Sequence, residues 1–399
     1  MAMAQQTKLK VNKVNKVLKF VKSRKVKFLV SILFILVIGF NVASTVWSLG
    51  TKYFSADYWK RYPVLKQEYL DSQYVNKHPL GWIPDDPVNA YAGGAYVKGV
   101  NPVLIAADTP PLGRYLIGIS ALIFNNENTV NLICVILSLI LLYVLSYQIF
   151  RSNFLALAPP FLLSFEPILK NQLIYSPLLD IIQLVFILAA FICFNKALNS
   201  KKSLLFLFLA NVFLGFFIST KFFITGSTII AAFYLVLLLK KDKRRLLELT
   251  LVFPVSIFIL LLSYVRALTL GYTLNKFLGI QKWVFLYHKS QLILPFSIWP
   301  LILLNKWYVW YGAKPVITDA QWFISWPVVM LLSIITALFG VFKKIKLNEN
   351  VWVLIAWVIL YFAFFSFGQI ASRYFVILIP VLYVIALYGI IEIIKVVKK

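Results

Sequence analysis

Histidine and cysteine are nearly absent, with two of each in 399 residues. His78 and His288 cannot supply a histidine-rich metal centre. Cys134 and Cys193 both fall inside apolar runs, where they read as small core residues and not as a disulfide or metal pair. Charge is scarce too: 14% of the chain is charged and 61% hydrophobic. A soluble domain of this length cannot hide that much apolar surface. Acids are the scarcest charge, 14 Asp and Glu against 40 Lys and Arg. No internal repeat and no low-complexity linker interrupts the chain, so one domain is expected over 28–399, preceded by a basic tail over 1–27.

What is present is a series of apolar stretches of about 20 residues, the length that crosses a bilayer as a helix. The spans read as 28–49, 129–150, 153–168, 178–197, 203–219, 222–240, 245–267, 322–342, 350–367 and 374–394. The expected fold is therefore an all-α polytopic bundle of about ten transmembrane helices. The first run is too long for a cleavable signal peptide and lacks a small-residue cleavage site, so it reads as a retained span.

The formal net charge of +26 would suggest nucleic acid in a soluble protein. Its placement points to a membrane instead. The first 27 residues carry nine Lys and Arg and no acid. Further basic clusters follow particular apolar runs, at Lys201-Lys202, Lys240 to Arg245, Lys343 to Lys346 and Lys395 to Lys399. With the N-terminus inside, all of these land on the inner face, as the positive-inside rule requires. Membrane lipids are thus the expected partner, and the lysine-rich loops favour a prokaryotic plasma membrane. The acids concentrate on the other side.

Two outer loops are long, about 50–128 and 268–321, and loops of this length in a compact protein usually carry function or structure of their own. The first holds an aromatic, charged stretch, 53–74, that reads as an interfacial helix. The second is rich in aromatics, as in Trp307-Tyr308-Val309-Trp310-Tyr311, which suits the membrane–water boundary.

Candidate chemistry sits in and beside these loops. Asp85-Asp86 follows Trp82-Ile83-Pro84; adjacent carboxylates can deprotonate a hydroxyl or bind a cation, or simply form a solvated Asp-Asp-Pro turn. Asp108-Thr109-Pro110-Pro111-Leu112-Gly113-Arg114 bars helix until Leu112. Arg114 then sits in the first turn of an apolar helix, placed to grip a phosphate or to snorkel. Glu166 and Asp180 bracket a short outer turn, where Lys170 can pair with either. Lys221 and Arg373 are lone cations at outer helix ends, against the positive-inside pattern, which calls for a phosphate or an acidic partner. His288 opens a stretch leading to Trp299-Pro300. A lipid-anchored phosphate donor fits this layout: tail among the helices, phosphate on Arg or Lys, acceptor near a carboxylate.

The order of these features resembles the GT-C superfamily of glycosyltransferases, nearest the protein O-mannosyltransferase and aminoarabinose-transferase-like branch. Asp85-Asp86 is similar to that branch's Asp-Glu motif, with Gly99 at a familiar distance. Thr109 to Arg114 is similar to its His-Pro-Pro-Leu-Gly-Lys segment, with Thr for His and Arg for Lys. Glu166 and Asp180 resemble its later pair of acids. Gly215 to Lys221 resembles its Gly-x-x-x-x-Thr-Lys stretch, His288 to Leu301 its His…Trp-Pro-Leu loop, and Ser372-Arg373-Tyr374 to Pro380 its Arg-Tyr…Pro. The departures are Asp86 for Glu, which shortens the reach, and Thr109 for His, whose role is not carried over.

The resemblance implies inverting transfer of a mannose-like hexose from a polyprenyl-phosphate carrier to an acceptor on the outer face. That acceptor is a protein Ser/Thr, a lipid or a glycan. Asp85 is then the general base, with Asp86 orienting the acceptor or sharing the role. Arg114, Lys221 and Arg373 hold the donor phosphate. Asp108, Glu166, Asp180 and His288 support the site. The pattern demands no cofactor and no metal, although a divalent ion is compatible with the acids. Two other classes stay open. A transporter or flippase of a lipid-linked or anionic substrate predicts repeats and broken helices near mid-membrane. A non-catalytic envelope protein would leave the acids without a shared cavity.

Overall fold

The computed structural model of the protein describes residues 24–76, 78–290, 294–309, 315–345 and 347–397. Most of the basic tail, and with it the reading of 1–23, lies outside the described residues. Residues 24–27 already belong to the first helix, α1, Arg24–Ser48.

The long loop that follows, expected on the outer side, is itself helical. It contains α2 (Tyr58–Leu70), α3 (Asp85–Val97) and α4 (Leu112–Phe124). The remaining long helices are α5 (Thr129–Phe150), α6 (Leu179–Asn199), α7 (Ser203–Thr220), α8 (Thr225–Leu239), α9 (Lys243–Ser263), α10 (Leu274–Ser290), α11 (Ser325–Val341), α12 (Glu349–Phe365) and α13 (Ile379–Val397). Among the described residues, α1, α5, α6, α7, α9 and α13 are long and apolar enough to cross a bilayer unaided. The segments at 112–124, 153–163, 225–239, 325–341 and 349–365 are shorter apolar helices. The protein is a multi-pass membrane protein, and each of the ten expected spans has its helix. The additional apolar helix is α4, inside the first long loop.

The third span is not a single rod. It is broken into Asn153–Ala156, Ala158–Leu163 and Pro167–Ile174, because Pro159, Pro160 and Pro167 each deny an amide to the helical ladder. Its path is set by α1. Phe34 stacks on Phe154 and Phe161, the Asn41 amide donates to Ser164, and Lys52 donates to the carbonyl of Ile174. Side chains further along α1 thus meet residues further along the broken segment. The two run in parallel, from Phe34 to Asn41 over about 10 Å of α1 at 1.5 Å per residue, and Lys52 extends the contact just past the end of α1.

The core has two parts. The larger joins the spanning helices, with α6 wedged between α5 and α7, α8 against α12, and α11 against α13. The smaller lies in the outer loop and is largely aromatic: Tyr58, Tyr69, Tyr91 and Tyr96 pack with Val88, Ala92, Ile105 and Ala121. This second core makes the loop a rigid platform and not a flexible connection.

Glycines set how that platform is mounted. A methyl group added at Gly93 would meet the Arg114 carbonyl oxygen at 2.9 Å, and one at Gly118 would collide with the Gly93 carbonyl. α3 and α4 therefore cross backbone to backbone. Gly113 is closed in the same way by Leu179 and Thr220, each at 2.8 Å from such a methyl group. That contact presses the start of α4 against the residues that precede Asp180 and Lys221.

The second long loop forms α10, the short helix Ile298–Leu304, and a two-stranded antiparallel ribbon in which Trp307–Tyr308 pairs with Val316–Ile317. Trp310 and Tyr311 lie outside the described residues.

Candidate active site

The Asp-Asp pair is not a free turn. Pro84 precedes it in extended conformation and Asp85 and Asp86 open α3, where the helix dipole favours negative charge. The two carboxylates face different surroundings. Asp85 receives Arg373 Nη1 at 2.5 Å and the Tyr74 hydroxyl at 3.3 Å. Burial pushes its carboxyl up, but Arg373, Lys221 and Arg114 more than reverse this and hold it below the usual carboxylate value. Asp86 is raised by burial, against the pull of Lys52, and does not line the cavity that Asp85 faces.

That cavity, about 60 Å³, is walled by Tyr74, Asp85, Asn89, Asp108, Thr109, Arg114, Asp180, Lys221, His288 and Arg373, among others. Three ion pairs organise it. Arg373 meets Asp85. Lys221 Nζ meets Asp180 at 2.5 Å. Arg114 Nη2 meets Asp108 at 3.2 Å. Arg114 also donates to Asn89 Oδ1 at 3.1 Å and to the Ala106 carbonyl. His288 Nε2 donates to the Asp108 carbonyl at 3.0 Å, and burial lowers the imidazole's proton affinity even with Asp108 nearby. Arg373 comes from a 3-10 turn, Ser372–Val376, that precedes α13, so it stands between two spans and not within the last one.

Next to the polar cavity lies a second, apolar one of about 200 Å³, walled by Phe222, Phe285, Phe364, Phe365, Phe367 and Ile377. Asp180, Lys221, His288, Gln369 and Tyr374 line both. Tyr374 sits where the two cavities meet, its ring 4.6 Å from the Lys221 ammonium and 5.7 Å from the Arg373 guanidinium. Cations, acids and an aromatic ring thus cap a greasy chamber that reaches between helices.

Of the residues singled out from sequence, Asp85, Asp108, Arg114, Asp180, Lys221, His288 and Arg373 share the polar cavity. Glu166 does not. It is fully buried, and its carboxylate accepts from Ser325, Trp326 Nε1 (3.0 Å) and Tyr383. It ties the broken third span to α11 and α13, away from the cavity. The expected pairings with Lys170 are replaced by these donors for Glu166 and by Lys221 for Asp180. Tyr74, Asn89, Gln369 and Tyr374 join the site from positions without a charge to advertise them. Among the described residues no three His, Cys, Asp or Glu side chains converge as a metal site; each carboxylate that lines the cavity faces a cation instead.

Residues 108–266 match the family described as dolichyl-phosphate-mannose-protein mannosyltransferase. The match contains Asp108, Arg114, Asp180 and Lys221. Among solved structures, the chain is similar to ArnT from Cupriavidus metallidurans bound to undecaprenyl phosphate, with a TM-score of 0.56 and 14% identity. The chain has the GT-C fold. That similarity covers 78% of this chain and 57% of ArnT, so the chain spans little more than half of its structural relative. The archaeal oligosaccharyltransferase AglB from Archaeoglobus fulgidus, in complex with an inhibitory peptide and a dolichol-phosphate, is a more distant similarity: TM-score 0.47, 14% identity, 72% of this chain and 42% of that one. No curated protein shows significant similarity to the chain. Among the described residues, the broken helices expected of a transporter occur in the third span, at its prolines, and in the seventh, which is interrupted before Pro254 and again at Tyr264.

Proposed function

We propose that this GT-C protein is an inverting glycosyltransferase that takes a sugar from a polyprenyl-phosphate carrier and passes it to an acceptor on the outer face of a prokaryotic plasma membrane. The observation that supports this reading is the join between the two cavities. A polyprenyl phosphate needs an apolar chamber for its tail and fixed cations for its head, in contact with each other. Lys221, at the boundary of both cavities, with Arg373 beside Tyr374, offers that combination. A water-soluble nucleotide sugar has no use for the apolar chamber.

In this mechanism the phosphate of the donor lies on Lys221 and Arg373, with Arg114 behind them. Asp85 takes the proton of the acceptor hydroxyl. The acceptor oxygen attacks the anomeric carbon, the bond from that carbon to the phosphate oxygen breaks, and the configuration inverts. Polyprenyl phosphate leaves with one more negative charge, which the fixed cations stabilise as it develops. Asp86 stands outside the polar cavity and fits the orientation of the acceptor better than proton transfer. A mannose-like hexose is the donor sugar implied by the family match, and Ser/Thr of a protein, a lipid and a glycan are the acceptors to be tried.

The test is transfer by the purified protein in detergent, with radiolabelled polyprenyl-phosphate-mannose and a mixed pool of peptide, lipid and glycan acceptors. Label should move to one acceptor class and stop moving in Asp85→Asn, with the variant still monodisperse. Full activity in that variant removes Asp85 from the mechanism. Failure to bind polyprenyl phosphate at all removes the glycosyltransferase reading and favours a transporter of a different anion.

A further inference from the structure

Each proposed phosphate-binding cation is already occupied by a carboxylate: Arg373 by Asp85, Lys221 by Asp180 and Arg114 by Asp108. For two of the pairs this costs the site only ion affinity. For the first it touches the chemistry, because the same ion pair silences the base. A carboxylate held by a guanidinium at 2.5 Å has its lone pairs committed and its proton affinity lowered, and is a poor acceptor for a hydroxyl proton.

We infer that Arg373 is a positioning residue that makes proton abstraction conditional on the donor: it holds Asp85 in the donor-free protein and releases it when the carrier phosphate draws the guanidinium away. This rests on the glycosyltransferase reading above and adds an obligatory order to it, donor before acceptor activation.

Three features of the structure carry the inference. Arg373 stands on a short 3-10 turn that follows the non-helical stretch 367–371, and not in the body of a helix. Its Nε–H is buried without an acceptor among the described residues, so the guanidinium has bonding capacity beyond its contact with Asp85. Lys221, the other cation at the cavity junction, lies close enough that it and Arg373 both flank the ring of Tyr374; a phosphate bound by Lys221 is therefore offered to Arg373 as well. Guanidinium prefers bidentate contact with a phosphate to the single contact it makes with Asp85.

The exchange also balances charge through the reaction. When the donor binds, Arg373 turns from the Asp85 carboxylate to the phosphodiester anion. When the acceptor proton moves to Asp85, that carboxyl becomes neutral, and the negative charge reappears on the departing phosphate, where Arg373 now is. After the carrier leaves, Asp85 loses its proton to water and the pair re-forms. Idle enzyme thereby keeps an unactivated base beside an empty donor site.

The experiment is a double-mutant cycle read by binding, not turnover. The affinity of a short-chain polyprenyl monophosphate is measured in detergent for wild type, Asp85→Asn, Arg373→Gln and the double variant. If Asp85 competes with phosphate for Arg373, Asp85→Asn binds the phosphate about tenfold more tightly in the Arg373 background and less than about twofold more tightly in the Arg373→Gln background, a coupling typical of side chains in direct contact. An equal gain in both backgrounds means that Asp85 merely repels the anion through space, and the inference fails; so does no gain in either. Should Arg373→Gln not fold, carbodiimide labelling of Asp85 in the wild-type protein replaces it, quantified by mass spectrometry. Labelling should rise severalfold on addition of the polyprenyl monophosphate, and unchanged or lower labelling overturns the inference. Absence of binding in every variant would instead count against the function proposed above, so the two failures are separable.

Discussion

The Asp180–Lys221 pair offers the sharpest energetic test. Its side chains are 5% and 10% exposed and 2.5 Å apart. Removing one partner of such a pair leaves a charge in a poorly solvated place, at a cost of about 3–5 kcal/mol, whereas replacing both by uncharged groups is often neutral or stabilising. With an unfolding entropy of about 2.1 cal/mol/K per residue, the 399 residues turn that cost into a fall in melting temperature of roughly 4–6 °C. Asp180→Asn alone should therefore melt lower by that amount in detergent, followed by intrinsic fluorescence or a thiol-reactive dye. Asp180→Asn combined with Lys221→Met should recover to within about 2 °C of wild type by the same reasoning. The double variant should nevertheless lose polyprenyl phosphate binding. A pair kept for stability gives the opposite pattern: the double variant melts at or below the single. That result, or a single variant that melts like wild type, refutes the argument that the pair is retained for the ligand and not for the fold.

Glu166→Gln weakens an acceptor for Ser325, Trp326 and Tyr383. Hydrogen bonds to charged groups contribute about 1.5–3 kcal/mol, so the melting temperature should fall by roughly 2–4 °C while the transfer rate per folded molecule stays unchanged; a selective loss of rate would return Glu166 to the active site. Gly118→Val forces α3 and α4 apart where their backbones touch and should cost about 1–3 kcal/mol or more, with transfer falling further than stability because Asp85 and Arg114 sit on the two separated helices. Asp86→Asn tests the raised carboxyl of Asp86. A carboxyl whose folded pKa lies above its unfolded one binds its proton more tightly when folded, so ionising it costs stability as pH rises through that value. The variant escapes this cost, and its melting temperature relative to wild type should improve between pH 4 and pH 8; an improvement confined to low pH would reverse the sign and refute the assignment.

Much of this site was legible in the residues because charge is rare here. In a chain with so few acids, every carboxylate or lone cation at an outer helix end asks for a partner. Asp85, Asp108, Arg114, Asp180, Lys221, His288 and Arg373 all stand out in the sequence and share one cavity. Glu166 stands out for the same rarity, but its neighbours are hydroxyl and indole donors from α11 and α13, more than 150 residues away in sequence. Rarity marks a residue as needing a partner; it does not say whether the partner is a ligand or the fold. Tyr74, Asn89 and Gln369 were missed for the converse reason, since polar and aromatic residues are common in long loops and nothing local separates those that face a cavity; Tyr374 was marked only as part of the Arg-Tyr…Pro resemblance.

By itself the sequence determined the medium and the class of fold. Apolar runs of bilayer length, basic clusters on one side and acids on the other leave an all-α, multi-pass bundle as the architecture that satisfies every backbone amide in lipid. Local chemistry also settled where α4 starts, after Pro110 and Pro111, whereas the breaks beside prolines 159, 160 and 167, inside the span read as 153–168, came only with the structure. Only the tertiary structure decided the pairings: which acid holds which cation, that Asp85 is tied to Arg373 while Asp86 is left aside, and that a polar cavity joins an apolar one at Lys221 and Tyr374. These depend on how close helices approach and at what angle. That closeness is set by glycine contacts such as Gly93 with Gly118 and Gly113 with Thr220, interactions between residues whose partners no sequence spacing specifies.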